Sequence, residues 1–210
     1  MTESRRVTVH DVTHRLPHNP NYPSIPKRLK PATMIVWHCD DACNWAVEDL
    51  ISYDWNPNHI SEKGCPCPTY AYYITRDGTV FKTAEENWLT WHVGVSEADQ
   101  KRWQIPNWNT IALGICFGHK PSTEPDLTPQ QYTSGLLLTS EIARRLSIDS
   151  QNVRGHRELQ VTGFNLANGQ LRKEYPGMGI DLDSVRRNIR NHMYSVQQGE
   201  LLIEVDSVQA

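Results

Sequence analysis

Met34-Ile35-Val36-Trp37-His38 is a short apolar run that ends on a histidine. Its length and β-branched centre fit a buried strand, with Thr33 to His38 as its span. Far downstream, Val153-Arg154-Gly155-His156 reads as another short strand or strand end that closes on a histidine. Arg157 and Glu158 follow it, and then Leu171-Arg172-Lys173-Glu174-Tyr175-Pro176-Gly177-Met178-Gly179-Ile180-Asp181. A lone histidine at a strand end is more often a hydrogen-bonded core residue than a ligand. If His38 and His156 meet in space, however, two ligands of a zinc site are in hand. Hydrolytic zinc sites use three protein ligands and keep one position for water.

Between these stretches the chain alternates strand and helix signals. Asp40-Asp41-Ala42 leads to Cys43–Tyr53, where Ala46, Val47, Leu50 and Ile51 recur at helical spacing and Asp41 is a candidate cap. Residues 54–69 form a loop with Cys65 and Cys67. Thr69 to Thr75 suits a strand, Arg76-Asp77-Gly78-Thr79 a turn and Val80-Phe81-Lys82 a return strand, since Asp-Gly between β-prone runs marks a hairpin. Ile111 to Phe117 is another buried strand with Gly114 at its centre, a position that often marks close approach of another group. Thr128 and Gln131 form a capping box with Pro129 at the first helical position, which predicts a helix to about Leu146. Asp181 or Asp183 caps a last helix to about Met193, whose Arg186, Arg187 and Arg190 read as a solvated face. The order predicts a single α/β domain with one central mixed sheet flanked by helices. A proline-rich arm over residues 1–32, a domain over 33–193 and a tail over 194–210 complete the division. The tail holds one candidate strand at Leu201–Val205.

The bulk properties narrow the function. The chain has 210 residues, a net charge of −3 and a pI near 6.3, which argues against a dedicated nucleic-acid binder. Seven Trp and eight Tyr offset a hydrophobic fraction of 38% by adding large buried area per residue. No apolar run is long enough to span a bilayer, so membrane insertion is not expected. Met1-Thr2-Glu3-Ser4-Arg5-Arg6-Val7 has a basic start with no apolar stretch after it, so no secretory signal is expected. Five irregularly spaced cysteines then read as reduced thiols; Cys39 and Cys116 suit the core, and Cys65 and Cys67 fall in a loop. His10, His14 and His18 in the arm read as exposed or packing residues. Asp40-Asp41 and Glu85-Glu86 are adjacent pairs that usually point apart, and they read as surface or capping groups.

Six segments resemble, in order, those of the zinc-dependent N-acetylmuramoyl-L-alanine amidases, the family that includes phage T7-type lysozyme and the peptidoglycan recognition proteins. They are Ile35-Val36-Trp37-His38, Tyr70-Ala71-Tyr72-Tyr73-Ile74 with Asp77-Gly78-Thr79-Val80, Trp91-His92-Val93-Gly94, Ile111-Ala112-Leu113-Gly114-Ile115, Gly155-His156-Arg157-Glu158 and Lys173-Glu174-Tyr175-Pro176-Gly177. The resemblance spans about residues 33–191. It implies zinc ligation by His38 and His156, a catalytic Tyr70 near the metal-bound water, and Lys173 as the group that stabilises the developing oxyanion. It implies that Trp91 and His92 line the cleft, with the loop of Cys65 and Cys67 near its rim.

Two positions depart from the family's pattern. Ala71 stands where the family usually has histidine. Tyr175 stands where the family places its third ligand, cysteine or aspartate. Tyrosine ionises near pH 10 and is much longer. Three outcomes are open there. Tyr175 is itself a ligand; Asp181, a loop cysteine or His119 completes the site; or the site binds zinc poorly.

The resemblance therefore implies zinc-assisted cleavage of the amide between N-acetylmuramic acid and L-alanine in bacterial peptidoglycan. The alternative is a catalytically degenerate module that binds peptidoglycan or forms a structural part of a phage-like particle. The protein is expected in the cytoplasm, reaching the wall after holin-type release or as a virion component.

Overall fold

The computed structural model describes residues 7–16, 18–42, 47, 49, 61–94, 100–101, 104–124, 126–159, 166–167, 170–171, 175–177, 179–197 and 204–206. Its framework is a seven-stranded mixed sheet. The strands are β1 (Thr8–Asp11), β2 (Met34–Cys39), β3 (Tyr72–Ile74), β4 (Val80–Lys82), β5 (Ala112–Phe117), β6 (Val153–Gly155) and β9 (Glu204–Asp206), in the order β6-β2-β5-β3-β4-β1-β9. A separate antiparallel pair joins β7 (Leu166–Ala167) and β8 (Gln170–Leu171). Strands β6, β2, β5 and β3 run parallel, and β3 turns back into β4 as the Asp-Gly hairpin. In that turn Asp77 accepts hydrogen bonds from Thr75 and Thr79, and Gly78 takes a φ of 86°, which an L side chain rarely adopts.

Two helices are described, α1 (Pro129–Arg145) and α2 (Leu182–Gln197). The capping box forms as expected, with Thr128 Oγ1 accepting from Gln131 N and Gln131 Oε1 accepting from Thr128 N. Both helices pack on one sheet face. Ile35 and Trp37 of β2 join Leu113, Ile115 and Phe117 of β5 in a cluster with Leu136, Leu137 and Ile142 of α1 and Val185 and Ile189 of α2. Trp37 is fully buried; its ring meets Phe117 edge-on at 4.8 Å, and its Nε1 donates to Thr139 Oγ1 at 2.9 Å. Side chains alternate along a strand, so Val36 and His38 face the opposite side. Each of those two residues is fully buried as well.

The two ends of the chain enter the sheet. β1 comes from the proline-rich arm and pairs parallel with β4, and β9 pairs parallel with β1. Of the expected tail strand, residues 201–203 lie outside the described residues. So does the helix expected over Cys43–Tyr53, apart from Val47 and Asp49, both helical. Asp41 has a φ of 60°.

Three readings of the sequence need correction. Arg186 is 5% exposed rather than part of a solvated face; its guanidinium lies on Glu158, 28 residues upstream. Cys65 and Cys67 do not sit at a rim: both are fully buried, under an arm whose Asn19 Nδ2 donates to the Cys65 carbonyl at 3.0 Å. Glu86 is not a plain surface group, since its carboxylate accepts from Tyr72 Oη at 2.7 Å and from both terminal nitrogens of Arg145, joining β3 to the end of α1.

Candidate active site

The site forms on the sheet face that the two helices leave to loops, at the carboxyl ends of β2 and β6. His38 is brought there by β2, which is paired on both sides. His156 opens the turn His156–Leu159 that follows β6. Because Trp37 pairs with Gly155, the two histidines leave neighbouring strands at nearly the same level. Their ring centroids are 4.7 Å apart, with planes inclined at 61°. Tyr70, in the loop before β3, lies 5.1 Å from the His38 ring, and Tyr175 lies 6.1 Å from the His156 ring. His38 and His156, 118 positions apart in the chain, thus meet with Tyr70 and Tyr175 beside them.

A dense set of bonds holds the His156 side. Arg157 N donates to the Tyr175 carbonyl at 3.0 Å, and the Arg157 guanidinium reaches the carbonyls of Gly177 and Ile180. Glu158 accepts from Gly155 N at 2.9 Å and holds Arg186 of α2. Gly155 has no room for a side chain: a Cβ there would stand 2.7 Å from Leu182 Cδ1, 2.9 Å from Pro176 Cδ and 3.3 Å from the Tyr175 carbonyl oxygen. Gly155→Ala is therefore expected to push the Tyr175-Pro176-Gly177 turn away from His156 and to cost about 1–3 kcal/mol of overpacking. Urea denaturation measures this; an unchanged midpoint would show that the turn can yield freely.

His92 is brought against His38 by the loop after Thr90. It is 4% exposed, so its ring lies beneath the site rather than along an open wall. Its Nδ1 is 2.9 Å from His38 Nε2, and its Nε2 is 3.1 Å from the Ala112 carbonyl oxygen. Burial pulls the imidazole down to about 3; buried Arg28 and His156 add to this, against the opposing effect of the Ala112 bond. Trp91 is half-buried and meets Tyr22 of the arm edge-on at 6.0 Å. Lys173 lies outside the described residues.

The groups considered as a third ligand fall in different places. Asp181 is occupied at the start of α2, accepting from Asp183 N, Ser184 N and Ser184 Oγ. His119 is buried with its Nδ1 3.7 Å from Glu124. Tyr175 is the one whose ring stands against His156. Burial pushes its phenol above the usual range, and the thiol of Cys39 and the carboxyl of Asp41 add to the rise. Among the described residues no three His, Cys, Asp or Glu side chains form a group able to hold a metal ion. The histidine pair fits zinc; Tyr175 fits it only as phenolate, the form that burial opposes.

Sequence reasoning did not single out Arg28 or the Glu158–Arg186 pair. Arg28 donates to the Glu86, Asn109 and Ala112 carbonyls beneath the site, and burial lowers it to about 10. No motif marks such a residue, because its partners, three backbone carbonyls and the Thr90 hydroxyl, lie 58 to 84 positions away.

A family model described as N-acetylmuramoyl-L-alanine amidase matches residues 28–177. The chain belongs to this family. Solved amidase-like structures share its fold. LysC, an N-acetylmuramoyl-L-alanine amidase from Clostridium intestinale, is 20% identical with a TM-score of 0.54, covering 87% of this chain and 97% of its own. The Ph2119 endolysin of a Thermus scotoductus bacteriophage is 17% identical with a TM-score of 0.57, covering 86% and 97%. The ectodomain complex of the peptidoglycan recognition proteins LCa and LCx, bound to tracheal cytotoxin, is 18% identical with a TM-score of 0.54, covering 83% and 92%. At these identities the likeness is one of fold. No curated protein matches the chain. Among the described residues no helix of this amidase-family chain is long and apolar enough to cross a membrane.

Proposed function

We propose that the chain is a zinc-dependent peptidoglycan hydrolase that cleaves the amide between N-acetylmuramic acid and L-alanine. The observation that carries this reading is the meeting of His38 and His156, 4.7 Å apart, beside Tyr70. The family and the endolysin-like fold support it. His38, His156 and Tyr175 would hold the metal. A zinc ion there supplies an activated water and polarises the carbonyl under attack.

The chain's own groups do the rest. Tyr70, whose ring centroid lies 5.1 Å from that of His38, would exchange a proton with the attacking water or donate to the developing oxyanion. Its loop is pinned by Thr83 Oγ1, which donates to the Tyr70 carbonyl at 2.8 Å. Lys173 donates to the same oxyanion. Trp91, packed on Tyr22 of the arm, forms a wall for the muropeptide. The substrate is bacterial peptidoglycan, reached after holin-type release or from a phage-like particle whose proteins are the partners.

Tyr175 favours a second reading, a module that grips peptidoglycan without cutting it. One pair of measurements separates the two: the zinc content of the purified protein, and release of peptides with L-alanine at their amino terminus from purified walls. Near-stoichiometric zinc with release is the expected result. Sub-stoichiometric zinc without release would sink the hydrolase and leave the binding module.

A further inference from the structure

Behind His38 runs a buried polar chain. The Ala112 carbonyl oxygen can only accept, so the nitrogen facing it, His92 Nε2, carries a proton. A neutral imidazole carries one proton, which makes His92 Nδ1 an acceptor. Its partner at 2.9 Å is His38 Nε2, which must then donate. That leaves the lone pair of His38 on Nδ1. We propose that His92 is a positioning residue that fixes His38 in the Nε2–H tautomer and thereby presents Nδ1 as the metal-binding atom. The role rests on the zinc reading above; the tautomer does not.

The surroundings support this assignment. Both polar atoms of His92 are occupied and the ring is buried, so it has no nitrogen to offer a substrate. The ring rests on Gly114 of β5, where a Cβ would come within 2.8 Å of His92 Cγ and 2.9 Å of Nδ1. The next residue is clamped on both sides, with Val93 N donating to Asn109 Oδ1 at 2.8 Å and Asn109 Nδ2 donating to the Val93 carbonyl at 3.0 Å. The Arg28 guanidinium donates to the same Ala112 oxygen at 2.5 Å, placing a fixed cation where a doubly protonated His92 would be repelled. Partners of this kind behind a metal-binding histidine set both its tautomer and its orientation.

Long-range ¹H–¹⁵N correlation NMR of the metal-free wild type reads the tautomer directly. The expected result is a protonated Nε2 and an unprotonated Nδ1 on His38. The opposite assignment, or a mixture of the two, overturns the proposal. The second arm is zinc affinity by chelator competition, without reference to activity. His92→Leu is expected to weaken zinc by about 10- to 100-fold. His92→Asn, of similar size but with Oδ1 near the position of Nδ1, is expected to recover most of the loss. Equal affinity in wild type and His92→Leu overturns the positioning role. If His92→Leu does not fold, the wild-type tautomer still decides. A wild type that holds the expected tautomer but takes up no zinc overturns the functional reading and the positioning role, while the His38–His92 bond stands as measured.

Discussion

Tyr175→Cys is expected to bind zinc at least about 30-fold more tightly than the wild-type chain at pH 7. A thiol ionises near pH 8.5 and a phenol near pH 10, which by itself makes the anionic donor about 30-fold easier to form. The structure widens the gap, because burial and neighbouring acidic groups push the Tyr175 phenol higher still. Thiolate is also the softer ligand and suits zinc well. The ring stands 6.1 Å from that of His156, and a shorter side chain on the same turn allows a closer approach of the metal. Competition with a fluorescent chelator measures the change. Equal or weaker binding by the cysteine variant would mean that the third donor is not residue 175.

Removing the Tyr70 hydroxyl is expected to lower turnover by about 10²-fold or more while zinc content stays the same. A positioned acid–base or oxyanion donor contributes on this scale. Tyr70→Phe keeps the ring that packs 5.1 Å from His38 and the carbonyl that Thr83 holds, so stability should change by less than about 0.5 kcal/mol. Lys173→Ala is expected to fall by a similar factor. Initial rates on purified walls, with metal analysis of each variant, test both. Turnover within twofold of wild type in either variant would remove that residue from the reaction.

Much of the scaffold was legible because its signals are local. The Thr128–Gln131 capping box, the Asp77-Gly78 turn and the apolar runs of β2 and β5 each declare themselves within a few residues. The meeting of His38 and His156 was legible only through the order of six segments, since the Trp37–Gly155 pairing that aligns them has no mark in either stretch. What stayed hidden depends on partners far off in the chain. Arg186 reads as a helix-surface charge until Glu158 is seen beneath it. His92 reads as a cleft wall until the space over Gly114 is known. β1 is four residues long and has prolines after it, so its place in the sheet follows from the exposed side of β4 rather than from its own pattern.

Solubility is the property most exposed to the amino-terminal arm. Strand β4 is bonded to β3 on one side and to β1 on the other. Without β1, the backbone of Val80–Lys82 becomes an open edge, and open edges recruit strands from other copies of a chain. Pairing with β1 covers that edge of β4. A version trimmed past Val12 is expected to aggregate more readily even with His38 and His156 untouched, which light scattering at equal concentration would measure.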